Sequence, residues 1–161
     1  MRRRNRERGF TLIELLIVVT IILIIAAFAI PRFTGATIPA HEASAIASIK
    51  AINESEMIFA SSHPDIGFSP DLATLGASTQ SGGAAVIDTN LASGRKSGYT
   101  FTYAPVKGGD ALYDTYTSAG TPSTVGTTGQ RQFCSSQTGV IQYNTAGAGC
   151  VTGTGGSPAL Q

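Results

Sequence analysis

The chain has 161 residues, of which 42% are hydrophobic and 13% are charged, and its formal net charge is +1. The first nine residues hold five Arg and one Glu, so the rest carries six basic and nine acidic residues, a net charge of −3. Beyond the N-terminus only Arg95 and Lys96 are adjacent cations. Such a scattered pattern excludes strong electrostatic attraction to phosphates, and no nucleic-acid partner is predicted.

The N-terminal region places a charge inside a long apolar run. A basic stretch ends at Gly9, and the apolar run from Phe10 to Ile30 follows at once. As a helix this run measures about 32 Å, enough to cross a hydrocarbon core of about 30 Å. One carboxylate, Glu14, lies within it, where an unpaired charge costs roughly 2.5–3.5 kcal/mol. A cut after Gly9 would place the new amine of Phe10 four residues before Glu14, so the two charges could pair within one chain or between neighbours shifted by about one turn.

This region resembles the class III signal of type IV prepilins and of the pseudopilins of type II secretion systems. The similarity rests on the sequence GFTLIE from Gly9 to Glu14, on the apolar helix that follows, and on Pro31. It implies that a membrane prepilin peptidase cuts between Gly9 and Phe10 and methylates the amine of Phe10. It also implies that Glu14 assists docking into a homo-oligomeric filament, built by inner-membrane pilus assembly machinery. Beyond about residue 62 the resemblance is one of architecture only.

The resemblance implies four segments. They are a leader at 1–9, a transmembrane and filament-core helix at 10–30, an amphipathic continuation at 31–62 and a globular head at 63–161. The precursor is expected to cross the bacterial inner membrane once with its N-terminus in the cytoplasm, because Arg clusters stay on that side. The mature subunit is then expected in an extracellular pilus or a periplasmic pseudopilus.

Two other readings of the N-terminus give a protein that forms no filament. A conventional secretory signal would be cut after Ala29 and release a chain beginning at Ile30, but its apolar run would exceed the usual 7–15 residues and would hold a charge. A plain single-pass anchor explains the length of the run but not Glu14. Either reading would give a secreted or membrane-anchored binding protein.

The segment after the apolar run is predicted to be an interrupted helix. Pro31 removes a backbone donor and is expected to kink or open the helix, which leaves residues 31–40 weak. Helical spacing resumes from residue 40 to residue 62, and His63-Pro64 ends it. An apolar stripe on this helix is predicted to pack on the head; it comprises Ala45, Ile49, Ile52 and Phe59, with Ile46 beside it. The polar remainder of the helix is expected to be Glu42, Lys50, Asn53, Glu54 and Ser55.

The head is predicted to be an antiparallel sheet reached through a connection with short helical turns. A short helix is expected to begin at Ser69-Pro70-Asp71, capped by the hydroxyl, and a looser turn to run from Asp88 to Ala92. Three or four strands are predicted at 99–104, 111–117, 132–134 and 140–143, from alternating residues and the turns between them. Tyr99, Phe101 and Tyr103 are expected to be core residues that face the helix. The predicted fold is α+β and pilin-like: a ladle whose long hydrophobic helix packs its upper half on a small sheet.

The two cysteines, Cys134 and Cys150, are expected to form a disulfide, because an even count in an exported chain favours one. Many pilins carry a disulfide-bounded loop near the C-terminus, and this pair is placed to make one. The bridge would close a loop of about sixteen residues, worth roughly 3 kcal/mol in the chain-entropy model.

Motifs for catalysis and metal binding are missing from the sequence. His41 and His63 belong to no metal-binding spacing, and no nucleophile elbow, P-loop or C-x-x-C occurs. No enzymatic activity, cofactor or metal is therefore predicted. Some major pseudopilins bind calcium in a loop of the head, and Asp110 with Asp114 is the nearest candidate here, although the acidic residues are too sparse to predict a site. This lack and the cysteine pair favour a type IV pilin over a pseudopilin.

Overall fold

The computed structural model describes residues 10–76 and 87–147, and of residues 29–36 it describes the backbone alone. The chain forms two compact units, which divide between Ala36 and Thr37. The leader at 1–9 lies outside the described residues.

The described part of the first unit is helical from Leu12 onward. Helix α1 (Leu12–Ser62) begins here, and its bounds extend into the second unit. The backbone is helical at Pro31 and on both sides of it, so the opening predicted at this proline is not found. Proline deprives only one carbonyl of its usual donor, and the bonds of the flanking turns maintain the helix. Among the residues with described side chains, no helix combines the length and apolarity that a membrane span requires.

The second unit contains a five-stranded sheet in which every neighbouring pair is antiparallel. Its strands follow the chain in the order β1-β2-β3-β4-β5. They are β1 (Arg95–Lys96), β2 (Tyr99–Lys107), β3 (Tyr113–Pro122), β4 (Arg131–Ser136) and β5 (Gln142–Thr145). The α+β class with an antiparallel sheet is confirmed. The strand count is higher than predicted because β1, which pairs through only two residues, is too short to show a period of two.

Two short helices lie in the connection between α1 and the sheet: α2 (Leu72–Gly76) and α3 (Thr89–Ala92). Asp88 caps α3 by accepting hydrogen bonds from the backbone N–H groups of Asn90 and Leu91. Asp71 likewise accepts a 2.7 Å bond from the N–H of Thr74 in α2. The cap of α2 is therefore Asp71 and not Ser69 as predicted, because the Ser69 hydroxyl is turned into the core.

One hydrophobic core joins α1 to the sheet. The predicted stripe on α1 is buried, and the rings of Tyr99, Phe101 and Phe133 belong to the same core. Tyr103 packs against this core while remaining partly exposed, which confirms the predicted role of the three β2 aromatics. Burial of such side chains is the main favourable term in folding, so this contact fixes the sheet on the helix.

The predicted polar face of α1 is only partly correct. Lys50 and Glu54 are exposed, but Glu42, Asn53 and Ser55 are buried. Glu56, a second carboxylate on this helix, is also fully buried. Charged side chains are rarely buried without partners, so the structure around these carboxylates explains their position.

Truncation of the core stripe should destabilise the second unit much more than truncation on the opposite face of the same helix. Ile52→Ala removes a fully buried side chain and is expected to cost roughly 2–5 kcal/mol of unfolding free energy. Met57→Ala is the matched control: its side chain is 71% exposed, and a change within about 0.5 kcal/mol is expected. Urea unfolding of the detergent-solubilised full chain measures both values, and equal losses would contradict the assigned core.

Candidate functional site

The start of α1 is closed by a reciprocal pair of hydrogen bonds between Thr11 and Glu14. The N–H of Glu14 donates to Thr11 Oγ1 at 3.3 Å, and the N–H of Thr11 donates to Glu14 Oε2 at 3.5 Å. The Thr11 hydroxyl also donates to the same carboxylate oxygen, at 3.4 Å. This arrangement is a capping box, in which a Thr and a Glu three residues apart satisfy two otherwise unpaired backbone donors. Glu14 therefore has a local structural role as well as the assembly role that the sequence predicts.

The capping box leaves part of the Glu14 carboxylate available. Within the described residues all three contacts involve Oε2 or the backbone of Glu14 and none involves Oε1, and the residue as a whole is exposed. Phe10 lies one residue before Thr11 and is itself exposed. A cationic amine at Phe10 would stand next to the helix N-terminus, where the positive end of the helix dipole disfavours it. A carboxylate nearby offsets that repulsion, which gives Glu14 an electrostatic function at this end of the helix.

The surface of the helix between Phe10 and Phe28 is predominantly apolar. All fourteen large apolar side chains from Phe10 to Phe28 are exposed, with exposed fractions between 46% and 82%. Complete burial of one such side chain is worth roughly 1.5–3 kcal/mol, so the whole surface represents a driving force on the order of 20 kcal/mol. An apolar surface of this size requires a lipid or protein environment.

In the second unit, an ion pair ties α1 to strand β4. Glu42 Oε2 accepts bonds from Nε and Nη2 of Arg131 at 2.8 and 2.6 Å. Its other oxygen, Oε1, accepts the backbone N–H groups of Gln130 and Arg131 at 2.9 and 3.1 Å. The Arg131 guanidinium also lies over the rings of Phe133 and Tyr143, at 5.6 and 5.4 Å from their centroids. We call this arrangement, centred on Glu42 and Arg131, the helix latch.

The latch favours the charged form of Glu42. Burial alone would raise the pKa of this carboxyl, but the bonds from the Arg131 side chain and from the two backbone N–H groups outweigh it. The net effect lowers the pKa of Glu42 below its ordinary value. The hydroxyl of Tyr99, which donates to the carbonyl of Arg131 at 2.8 Å, has its pKa raised to about 12 by burial and by the Glu42 charge, so it remains a donor.

A second polar connection ties α1 to the loop before α2 and to β2. The buried carboxylate of Glu56 accepts the backbone N–H of Ser69 at 2.9 Å and also the Ser69 hydroxyl. Tyr103 donates in turn to the carbonyl of Ser69 at 3.0 Å. Burial raises the pKa of the Tyr103 hydroxyl, which therefore stays protonated. Both oxygens of Glu56 are thus satisfied, as a buried carboxylate requires.

A third polar connection centres on Asn53, which faces the middle of the sheet. Its side-chain nitrogen donates to the hydroxyl of Ser135 at 2.8 Å, and its oxygen accepts the hydroxyl of Tyr116 at 3.1 Å. The bonds of Asn53 thus reach both β3 and β4. Together with the latch, they fix the rotation of α1 about its axis, because each bond is directional.

The sequence missed the two buried carboxylates, although it holds a signal for them. Glu42 and Glu56 continue the apolar stripe of Ala45, Ile49 and Ile52 at steps of three or four residues. Carboxylates on the buried face of a helix require partners elsewhere in the chain. For Glu42 that partner, Arg131, is 89 residues away, and spacing does not identify it.

The predicted site residues have different outcomes. Gly9 and Cys150 lie outside the described residues, so the cleavage site and the disulfide remain predictions. Phe10 and Glu14 lie together at the start of the apolar helix, and the backbone at Pro31 is helical. Cys134 is buried in β4.

Of the acidic residues considered for calcium, Asp110 lies in the turn between β2 and β3, and Asp114 lies at the start of β3. The side chains of Asp110 and Asp114 both approach Gly108, where a Cβ would lie 3.3 Å from an oxygen of Asp110 and would collide with Asp114. Among the described residues, however, no three His, Cys, Asp or Glu side chains are grouped as a metal site requires.

Comparison with known proteins agrees with the N-terminal geometry. Residues 4–30 match the prokaryotic N-terminal methylation motif. In this chain the motif is followed by an N-terminal helix and an antiparallel sheet, which is the order expected from the resemblance to type IV prepilins. The resemblance to type IV prepilins is thereby confirmed.

Two curated relatives are similar to part of the chain. One is the type IV major pilin protein PilA of Myxococcus xanthus, 41% identical over an alignment of 73 residues that covers 41% of this chain and 33% of the relative. The other is the type IV narrow pilus major component PilA5 of Thermus thermophilus, 45% identical over 53 residues, which are 33% of this chain and 46% of the relative. The chain thus spans less than half the length of the curated relatives it matches. No solved structure matches it.

Because the helix latch contains a charged carboxylate, we expect the unfolding free energy of the chain to depend on pH. Because the pKa of Glu42 is lower in the folded chain, its contribution is complete above the ordinary value of 4.5 and is lost as pH falls through the lowered value. Glu42→Gln should cost about 1–3 kcal/mol at pH 7 and should lack this acid-dependent loss. The unfolding free energies of wild type and of Glu42→Gln should therefore converge between pH 7 and pH 3, as measured by urea unfolding of the full chain in detergent.

Glu54→Gln is the control for that series. Glu54 and its partner Lys50 are both largely exposed and 3.9 Å apart, so its loss should change stability by less than about 0.5 kcal/mol. Stabilities of wild type and Glu42→Gln that run parallel down to pH 3 would show that the latch does not hold a charged carboxylate.

Proposed function

We propose that this chain is the structural subunit of a type IV pilus filament. The precursor is anchored in the inner membrane, cut after Gly9 by a prepilin peptidase, N-methylated on Phe10 and assembled by the pilus machinery into a homo-oligomer. Its role is mechanical and not enzymatic. The names of the two relatives, a major pilin and a major pilus component, favour a pilus over a type II secretion pseudopilus.

The apolar surface of the first unit carries this proposal. Before assembly, lipid covers it: the run from Phe10 to Ile30 has the length of one bilayer crossing. After assembly, the same surface is covered by identical helices of neighbouring copies. The free energy of burial is thus retained in both states, which makes transfer out of the membrane possible without a large cost.

Glu14 sets the position of each incoming copy. Its Oε1 accepts the methylated amine of Phe10 from an adjacent subunit, while Oε2 maintains the capping box with Thr11. A carboxylate left unpaired among apolar helices is costly, so a copy shifted away from this pairing is disfavoured. Pro31, at the upper end of the apolar run, marks the limit of the filament-core segment in this scheme.

Glu14→Gln separates the charge of Glu14 from its role as a cap. Gln is an accepted partner in the capping box, so the substitution keeps the helix start but removes the charge. In a host with a prepilin peptidase and pilus machinery, the variant should insert and be processed normally while sheared filaments fall about tenfold or more. The amounts of subunit in the membrane and in the sheared fraction measure both effects.

Thr11→Ala is the matched control, because it removes the cap but keeps the charge. It should cost about 1 kcal/mol of helix stability and leave most filaments intact. Filaments from Glu14→Gln at the wild-type level would overturn the pairing with the amine. Equal losses of sheared filaments in Glu14→Gln and Thr11→Ala would show that Glu14 acts only as a helix cap.

A further inference from the structure

The face of α1 that points away from the sheet in the second unit has no partner in the described chain. Its exposed residues recur at alternating steps of three and four, which is the spacing of a helix–helix seam. They are Ala43, Ala47, Lys50, Glu54, Met57 and Ser61. Met57 is 71% exposed and its neighbour Ile58 is 45% exposed. Met is enriched at protein interfaces, where its flexible side chain adapts to the partner.

The two charges on this face contribute little to the stability of a single copy. Nζ of Lys50 and Oε1 of Glu54 are 3.9 Å apart, and the side chains are 70% and 64% exposed. An exposed pair of this kind contributes little. Its order along the helix, with the cation before the carboxylate, is also the less favourable one for a pair four residues apart. Both charges therefore remain available to a partner.

The spacing of this pair matches the spacing at the N-terminus. Lys50 precedes Glu54 by four residues, as Phe10 precedes Glu14. In two parallel helices displaced by about 6 Å, or four residues, the cation of one copy stands opposite the carboxylate of the other. Each pair is thus satisfied by a displacement of four residues between copies, and the face that carries Lys50 and Glu54 is complementary to itself.

We propose that Lys50 and Glu54 form ion pairs between neighbouring copies of this chain, on a docking face that Met57 and Ile58 extend. This inference rests on the proposed filament and names a contact of the second unit within it. Within the second unit, Lys50 and Glu54 select a displacement of four residues between neighbouring copies, as the Phe10 amine and Glu14 do within the first. The neighbour is a second copy because the face carries its own complement.

A charge swap tests the pairing. Lys50→Glu places like charges opposite each other and should reduce sheared filaments about tenfold or more relative to membrane-bound subunit. The double variant Lys50→Glu/Glu54→Lys restores opposite charges at both positions and should return the ratio to within about twofold of wild type. Full chains are expressed in a pilus-competent host for all variants, and thermal unfolding in detergent verifies that each is folded.

Lys96→Glu is the matched control, since Lys96 also forms an exposed ion pair in the head, with Asp88 at 2.7 Å, but not on α1. It should leave the filament ratio unchanged. Wild-type filament levels from Lys50→Glu, or a double variant as defective as the single one, would overturn the inference while the proposed filament stands. If Lys50→Glu fails to fold, Lys50→Gln should still lower the ratio, and a wild-type ratio there overturns the inference. A wild-type chain that forms no filament in that host would overturn both proposals.

Discussion

The apolar helix at the N-terminus is the constraint on which the rest of this molecule depends. Fourteen large apolar side chains between Phe10 and Phe28 are exposed, and nothing in the described chain covers them. Large exposed apolar surfaces are typical of sites that contact lipid or other protein chains. In the proposed filament, neighbouring copies cover this surface in place of lipid, and Glu14, which is exposed in the single chain, becomes the one carboxylate among the covered apolar side chains, so that its pairing selects the arrangement of the copies.

In the second unit, the remainder of α1 packs firmly against the sheet. Hydrophobic burial supplies most of the attraction, but apolar contacts alone permit a helix to slide or turn. Glu42, Asn53 and Glu56 make directional bonds to three different parts of the head. Because each bond would leave a buried polar group unpaired if it broke, the register of the helix on the sheet is strongly specified.

Sequence patterns predicted those helices and strands that are long enough to show a helical or a strand period. The stripe from Ala45 to Phe59, the end of α1 before His63-Pro64 and four of the five strands were all predicted. The two-residue strand β1 was missed, since its pairing depends on the turn that joins it to β2. Glu42 was wrongly assigned to the polar face and Glu56 was overlooked for a related reason: whether a carboxylate is buried depends on partners elsewhere in the chain. At the N-terminus, the sequence predicts the helix that contains Glu14 but not the capping bonds of Thr11, and the roles of Phe10 and Glu14 in processing and assembly stay predictions.

The central claim is that a free, methylated amine at Phe10 comes to stand beside Glu14. Intact mass and N-terminal sequencing of the chain recovered from membranes of a host with a prepilin peptidase test it most directly. We expect a chain that begins at Phe10 and is heavier than its sequence by one methyl group. A chain that still begins at Met1, or one that begins at Ile30, would contradict it, because no amine would then exist for Glu14 to bind.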